Sequence, residues 1–175
     1  WIAFEDVSFD GQCIASKEAL KNKVLMRGKT PLGVRLKQLE GSLLEAAKEY
    51  QKQTGNLSEY LRIKKQVRKL AGLDARALYR KLLEDDTYFF GLAKDLELPD
   101  HASAALSFTR ENLCCEALSF DDAAVLAYLE LKLNGAGQYK NIRQVVIDEA
   151  QDYYPLHYEI FNLLFPNAKF TVLGD

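Results

Sequence analysis

The sequence predicts a mainly α-helical chain that ends in a partial α/β region. Apolar residues recur every three or four positions through much of the chain, which is the spacing of one helix face. Only four prolines and ten glycines interrupt its 175 residues. Near the end, a β-branched run at 145–147 and an apolar run at 170–173 flank a segment with helical spacing. Strand, helix and strand in about 30 residues predict a βαβ unit.

The opening of the chain is predicted to form a short β-hairpin over residues 1–15. It contains Asp10-Gly11, a pair that favours a tight two-residue turn. Ser16 is a typical N-cap for a short helix ending near Met26. Thr30-Pro31 then predicts the start of a long helix, with a capping hydroxyl followed by proline at the first helical position.

A helical arm is expected over about residues 27–85. Its first helix should end at Gly55, its second should run from about residue 58 to 71, and its third should follow Asp74. The apolar stripes of these helices favour a helical hairpin or small bundle over a coiled coil. The segment from 86 to 118 reads as mostly helical with a break at Pro99, which completes a helical insertion over residues 1–118.

Residues 119–175 form the second predicted domain. Ser119 to Asp122 resembles a capping box that opens a helix through Leu133. The run 145–147 is expected to be a strand buried on both faces of a parallel sheet, followed by a helix from Pro155 and a strand at 170–173.

Composition excludes several classes of protein. No apolar run approaches the roughly 20 residues of a membrane helix, and no signal peptide opens the chain, so we expect a cytoplasmic protein without membrane partners. Cys13, Cys114 and Cys115 lack metal-ligand spacing and are expected to be buried, reduced thiols. Both ends, at Trp1 and Asp175, suggest a piece of a longer protein.

Charge is divided unevenly along the chain, although the net charge is only -2. Residues 27–81 carry 14 lysines and arginines against 5 acids, whereas residues 82–175 carry 6 against 16. A basic segment of this kind can approach a polyanion or an acidic protein surface. Its clearest basic run consists of Arg62, Lys64, Lys65, Arg68 and Lys69. The two open interpretations of this run are a solvated helix face and a partner-binding face.

The stretch from Val145 to Asp152 carries the chemistry. An apolar strand ends in the adjacent acids Asp148 and Glu149, which therefore emerge at the carboxyl edge of the sheet, where α/β proteins bind ligands. A lone acidic pair is more often the start of a loop. Here Gln151-Asp152 follow it and a second strand ends in Gly174-Asp175, so the pattern favours phosphoryl transfer with a magnesium ion and an activated water.

These motifs resemble those of superfamily 1 helicases of the UvrD/Rep kind. Asp148-Glu-Ala-Gln-Asp152 resembles motif II, the Walker B element, and Phe170-Thr-Val-Leu-Gly-Asp175 resembles the start of motif III. Further stretches resemble HelD-type proteins, a bacterial branch of helicase-like ATPases associated with RNA polymerase. They are Leu118-Ser-Phe-Asp-Asp-Ala-Ala, Tyr128-Leu129, Tyr153 after motif II, and Leu164-Phe-Pro, with looser likeness upstream around Tyr79.

The resemblance implies a piece of a RecA-like P-loop NTPase core with ATP and Mg²⁺ as cofactors. It implies that Asp148 ligates magnesium through water and that Glu149 activates the hydrolytic water. Gln151 would sense the γ-phosphate region and Asp152 would support the motif, while Gly174 and Asp175 would open motif III. Expected partners are DNA or RNA, and RNA polymerase. The alternative is a non-catalytic helical module that binds RNA polymerase or nucleic acid.

Other candidate sites are weaker. Gly28-Lys29-Thr30 looks like the tail of a phosphate-binding loop, but Lys23 stands where the first glycine of GxxxxGK[ST] belongs, so we interpret it as a loop and helix start. His101 and His157 have no second ligand nearby in sequence and are expected to be exposed or packed. The aromatic run 88–90 is expected to pack under a helix rather than stack on bases.

Overall fold

The computed structural model of the chain describes residues 4–26, 30–114 and 118–175. The chain divides into two compact units, Trp1–Leu73 and Asp74–Asp175. The first contains β1 (Val7–Phe9), β2 (Gln12–Ala15), α1 (Lys17–Leu25), α2 (Leu32–Thr54) and α3 (Leu57–Ala71). The second contains α4 (Ala75–Glu84), α5 (Asp86–Leu92), α6 (Ala102–Cys114), α7 (Phe120–Asn134), β3 (Gln144–Ile147), α8 (Pro155–Leu164) and β4 (Lys169–Val172). The mainly α prediction with an α/β end is therefore confirmed.

The predicted hairpin forms with the predicted turn. Asp10 and Gly11 have φ of 47° and 80°, the two positive values that a type I′ turn requires, and β1 pairs antiparallel with β2. Phe9 is 1% exposed and its ring lies 5.7 Å from that of Tyr50 on α2. A guanidinium nitrogen of Arg62 on α3 donates to the Ser8 carbonyl at 2.7 Å, which joins the hairpin to the helices.

The helices α2 and α3 form the predicted helical hairpin. Gly55, with φ of 72°, ends α2 in the left-handed conformation, and the Asn56 side chain caps α3. Leu36 and Ile63 are fully buried between these helices. Helix propensity alone rarely stabilises such helices, so this shared apolar face provides most of their stability.

The predicted cap of α2 is wrong. The helix begins at Leu32, Pro31 occupies the N-cap position with ψ of 147°, and no side chain caps the helix. Thr30 therefore lies one residue too early for its hydroxyl to reach the free amides of the first turn. Gly28 and Lys29 lie outside the described residues, so the interpretation of that stretch is unchanged.

The second unit has its own apolar cluster, formed by Tyr79, Leu83, Leu106 and Leu113. Phe89 and Phe90 pack against this cluster, as expected from the sequence. Two further predicted features are confirmed in this unit. Helices break around Pro99, between α5 and α6, and a capping box opens α7.

A buried hydrogen bond joins α4 to the start of α7. The Tyr79 hydroxyl donates to Asp122 Oδ1 at 2.7 Å, and the Ser119 hydroxyl donates to Asp122 Oδ2 at 2.8 Å. Asp122 is 5% exposed, so both carboxylate oxygens are satisfied although the group is out of water. The predicted capping box is thus also a tertiary contact.

Strands β3 and β4 are parallel, in register from Gln144 opposite Lys169 to Ile147 opposite Val172, with α8 between them in sequence. The βαβ prediction is confirmed, but full burial of β3 is wrong. Val146 is 60% exposed, because the sheet has two strands among the described residues and no described element covers that side chain.

Two predictions about composition can also be checked. Cys13 is exposed rather than buried, because it lies in the exposed first half of β2, where no described element covers its side chain. The Cys114 side chain and Cys115 lie outside the described part of the chain. No described helix is long and apolar enough to cross a membrane.

The compact units divide at residue 73, so α4, the third helix of the predicted arm, belongs to the second unit. The sequence places a boundary at residue 118 on a different basis, the start of the motor-domain motifs. That boundary remains a prediction.

Candidate functional site

Two acids and two strand ends meet at one edge of the small parallel sheet. Asp148 follows β3 directly, and Leu173 and Gly174 follow β4. Since the strands are parallel, both chains leave the sheet at the same edge. Asp148 and Glu149 are both exposed there. The structure thus brings together the residues that the sequence predicted to form a site.

A bulge separates the two acids from the regular ladder. The Leu173 amide donates to the Ile147 carbonyl at 2.8 Å, and the Leu173 carbonyl accepts from the Ala150 amide at 2.9 Å. In an undisturbed parallel ladder, a residue that donates to position 147 accepts from position 149. One extra residue has therefore been inserted at Glu149, which is a β-bulge of the kind that redirects a side chain. Leu173 holds both ends of the two-residue excursion.

Glu149 has a backbone conformation that few residues other than glycine adopt. Its φ of 51° and ψ of 49° are left-handed, which costs about 1 kcal/mol for a residue with a Cβ. The amide that the bulge removes from the ladder donates instead to Asp148 Oδ1 at 3.0 Å. The first acid thus compensates the backbone of the second, while its Oδ2 has no hydrogen bond to any described residue.

The Glu149 carboxylate is held by Gln151. The Gln151 side-chain nitrogen donates to Glu149 Oε2 at 2.6 Å, while Oε1 has no partner among the described residues. Gly174 lies close behind this amide. A Cβ at position 174 would lie 2.7 Å from Gln151 Oε1 and 3.1 Å from the Ala150 nitrogen, so a larger residue would displace the Gln151 side chain and press on the Ala150 backbone.

Tyr158 is a contact residue that sequence reasoning missed. Its hydroxyl donates from α8 to the Ala150 carbonyl at 2.8 Å. The sequence placed Tyr158 only within a helical pattern, because the spacing of apolar residues in α8 says nothing about a backbone carbonyl outside the helix. A tyrosine one turn into the helix that follows an acidic strand end was the available signal.

The donor chemistry of the edge fits a magnesium ion. Among the described residues, no lysine or arginine pairs with either acid, so Asp148 and Glu149 lack a compensating cation. The described residues contain no cluster of three or more metal-ligating side chains. Mg²⁺ is usually held by one or two carboxylates together with waters and substrate phosphates, so such a cluster is not needed. Asp148 Oδ2 and Glu149 Oε1 are carboxylate oxygens without a hydrogen bond in the described part of the chain, and they could hold such an ion.

The family described as UvrD/REP helicase N-terminal domain matches residues 10–175. The chain belongs to this family. UvrD/REP helicases are ATP-dependent enzymes that act on nucleic acid, and they generally use Mg²⁺. No curated protein matches the chain.

Two other predicted motif residues of this UvrD/REP helicase domain, Asp152 and Asp175, lie at the same edge of the sheet. They make fewer contacts than Asp148 and Glu149. The Asp152 amide donates to the Glu149 carbonyl at 3.0 Å, while the Asp152 side chain is exposed without a hydrogen bond. Asp175 is likewise exposed. Of the two solitary histidines, His157 is buried, and its Nδ1 accepts from the Tyr154 amide at 3.2 Å. This histidine helps to begin α8, which supplies Tyr158.

Several side chains of the basic run in this helicase domain interact with other residues of the chain, so fewer of them are available to a partner than the sequence suggests. Arg62 pairs with Glu59 at 2.6 Å, Arg68 lies 4.0 Å from Glu40, and Lys64 lies over the Tyr60 ring. Lys65 and Lys69 are exposed and have no ion pair or hydrogen bond within the described chain. They are one helical turn apart on α3, so they present their charges on the same face.

Proposed function

We propose that the chain provides the magnesium- and water-handling half of the ATP site of a helicase or helicase-like ATPase. The observation that carries the proposal is the bulge at Glu149. The bulge places two adjacent carboxylates at the edge of a parallel sheet where ligands bind. The Gln151 side chain holds the Glu149 carboxylate, and one oxygen of each acid has no hydrogen bond within the described chain. A left-handed glutamate is energetically costly, and a loop whose two acids had no function would not require this conformation.

Asp148 is the proposed magnesium residue. Its Oδ1 is occupied by the Glu149 amide, so Oδ2 would face the ion or a water bound to it. Mg²⁺, when bound with ATP, neutralises charge on the phosphate oxygens. The contribution of the chain is to fix the direction of Oδ2 by engaging the other oxygen of the same carboxylate.

Glu149 is the proposed general base. Its Oε1 would accept a proton from the attacking water, while the hydrogen bond from Gln151 to Oε2 keeps the carboxylate from rotating. The γ-phosphate-sensing role implied for Gln151 is compatible with this contact, because a side chain that touches the base can transmit a change near the phosphate to it. Gly174 and Asp175, at the end of β4, would carry that change onward.

We infer that this chain alone neither binds nor hydrolyses ATP, because none of the described residues forms a phosphate-binding loop. Isothermal titration of the 175-residue chain with ATP and Mg²⁺ is expected to give no heat of binding at micromolar concentrations. Micromolar affinity would contradict this inference and would return attention to Gly28-Lys29-Thr30.

The main test is Glu149→Gln in the full-length protein, measured as ATP turnover and as nucleotide affinity. Loss of the base with retention of shape should lower turnover by roughly 100-fold or more and leave nucleotide affinity unchanged. Glu159→Gln is the matched control, because Glu159 is an exposed glutamate on α8 without a hydrogen bond. Turnover near wild type in Glu149→Gln would mean that Glu149 is not the general base, whereas absence of ATP turnover in the wild-type full-length protein would favour the alternative, a non-catalytic helical module.

A second proposed role, docking on an acidic partner, is supported by one face of α3. Leu57 and Leu61 are 54% and 53% exposed and precede Lys65 and Lys69 at intervals of four residues, so all four share one stripe. Exposed leucines beside unpaired lysines are better suited to a protein surface than to a phosphate backbone. The HelD-type resemblance suggests RNA polymerase as that partner, and therefore remodelling of a polymerase complex. Translocation on DNA or RNA is the rival.

Charge reversal distinguishes these partners. Lys65→Glu with Lys69→Glu should weaken polymerase binding while basal ATP turnover persists, and Lys37→Glu with Lys48→Glu on α2 is the matched control. Contacts to duplex phosphates would give a steep loss of affinity with salt, whereas a protein surface should give a shallower dependence. Unchanged binding to polymerase and to nucleic acid would reduce the stripe to a solvated helix face.

A further inference from the structure

Ala150 is bonded through both of its backbone groups to elements outside the acidic loop. Its amide donates to the Leu173 carbonyl beyond β4, and its carbonyl accepts from the Tyr158 hydroxyl on α8 at 2.8 Å. Within the loop, the same carbonyl accepts a longer bond, of 3.3 Å, from the Tyr153 amide. Ala150 directly follows Glu149. The residue after the proposed base is therefore fixed by two separate secondary-structure elements, one through main chain and one through a side chain.

This double anchoring opposes the strain at Glu149. A left-handed residue with a Cβ persists only when the surrounding structure holds it there. On the amino side, the Ile147 carbonyl is fixed by Leu173 and the Glu149 amide by Asp148. On the carboxyl side, the Ala150 peptide has to keep its orientation. If it rotated, Glu149 could relax and its carboxylate would leave Gln151.

The Tyr158 hydroxyl is well fixed for this task. Its ring meets Tyr153 at 6.4 Å and Phe161 at 6.2 Å between centroids, both nearly edge to face. Such aromatic contacts restrict a ring to one orientation and thus fix the position of its hydroxyl. Tyr158 is half-buried, so the hydrogen bond to Ala150 is partly shielded from water.

We propose that Tyr158 is a positioning residue for Glu149. It fixes the Ala150 carbonyl, which keeps the bulge closed and the glutamate carboxylate aimed. It touches neither Glu149 nor any group proposed to contact ATP, and it acts only through the backbone. The inference rests on the proposed function, since it assigns to Tyr158 the task of orienting a base.

The test is Tyr158→Phe in the full-length protein, which removes the hydroxyl and retains the ring. We expect kcat for ATP hydrolysis to fall by about 10-fold, because small displacements of a catalytic group are costly, with the affinity for ATP unchanged. Tyr139→Phe is the matched control, because its ring lies near Phe165 and its hydroxyl has no hydrogen bond within the described chain. That variant should retain wild-type kcat.

A combined variant separates positioning from a general structural role. If Tyr158 acts through Glu149, adding Tyr158→Phe to Glu149→Gln should lower the residual turnover no further. An additional 10-fold loss in the combined variant would overturn the proposal. So would a parallel loss of ATP affinity in Tyr158→Phe, since loosening of the whole site affects both quantities.

The two proposals can fail separately. Wild-type kcat in Glu149→Gln would reject the general base, and the positioning role with it. A large loss in Glu149→Gln with wild-type kcat in Tyr158→Phe would reject only the role of Tyr158.

Discussion

The α2–α3 hairpin of the first unit and the acidic edge of the second are built on opposite principles. In the hairpin, Leu36 and Ile63 are fully buried, and the Arg62 guanidinium serves the fold by binding the Ser8 carbonyl. At the edge, Asp148 and Glu149 are exposed, and the backbone is held in a conformation that costs energy. The first region gains stability from burial, while the second uses hydrogen bonds to maintain a strained backbone conformation with two exposed carboxylates.

The largest expected change in the free energy of unfolding comes from a substitution in the buried face of the α2–α3 hairpin. Leu36→Ala removes a fully buried side chain and should lower the free energy of unfolding of the first unit by about 3 kcal/mol. Val146→Ala at the sheet edge, where the side chain is 60% exposed, should lower the free energy of unfolding of the second unit by less than about 1 kcal/mol. Denaturant unfolding of both variants gives the comparison. Equal losses would show that the sheet edge is as tightly packed as the core.

The hydrogen bond from Tyr79 to Asp122 is a polar contact that is buried like the apolar core, and substitution of Tyr79 measures its contribution to stability. Tyr79→Phe leaves Asp122 buried with only the Ser119 group bonded to it, which should cost about 1–3 kcal/mol. Denaturant unfolding at neutral pH measures this cost. A change below a few tenths of a kcal/mol would mean that water replaces the tyrosine hydroxyl.

The pKa of Tyr79 also predicts that the protein loses stability at alkaline pH. Burial, and after it the hydrogen bond to Asp122, raise the pKa of Tyr79 well above its usual value of 10.0. The protein therefore keeps this contribution below pH 10 and loses it as the pH rises from there toward the pKa of the folded state. Unfolding between pH 9 and 11.5 should show a steeper loss in the wild type than in Tyr79→Phe. Parallel curves would contradict the shift.

A matched pair of glycine substitutions sharpens the contrast between the two regions. Glu45→Gly lies inside α2 and should cost about 1 kcal/mol, because glycine weakens a helix interior. Glu149→Gly relieves a left-handed residue, so its cost should be offset to within about 0.5 kcal/mol. Unfolding curves should therefore separate two chemically identical changes. Equal costs would mean that Glu149 is not strained.

The smallest effect concerns the Glu59–Arg62 pair. The hydrogen bond from Arg62, opposed in part by desolvation, lowers the pKa of Glu59 below its usual 4.5. Its contribution is therefore present above pH 4.5 and is lost as the pH falls through the lowered value. Because the Arg62 side chain is 51% exposed and solvent screens the pair, Glu59→Gln should shift the acid unfolding midpoint only slightly. Glu45→Gln, at an unpaired position, should not shift it at all.

Local signals predicted most of the elements. The Asp10-Gly11 turn, the end of α2 at Gly55 and the capping box at Ser119 formed as expected, because each depends on a few neighbouring residues. The errors arose where tertiary context decides. Thr30 was one residue out of place for a cap, and Cys13 and the strand residue Val146 were exposed, because burial depends on which elements cover them.

The candidate site was predicted by residue but not by geometry. Asp148 and Glu149 were located from a strand followed by acids, yet nothing in the sequence indicates the bulge between them. A bulge is a property of two chains in register, and its partner residue Leu173 lies 24 positions beyond Glu149. The sequence drew attention to Tyr158 only by its position after the acidic strand end, and its partner could not be predicted because the hydrogen bond ends on a backbone carbonyl that every residue possesses.

Leu173 forms two hydrogen bonds, one to Ile147 and one to Ala150, at the two ends of the acidic loop. These bonds have a consequence for amide hydrogen exchange. The amide protons of Leu173 and Ala150 are shielded by one closed arrangement, so a single opening should expose them together. Their protection factors should therefore be equal, although the residues are far apart in sequence. The Glu149 amide, bonded only to a side chain at an exposed position, should be protected less. The strength of this shared protection would report how firmly Glu149 is held in its left-handed conformation.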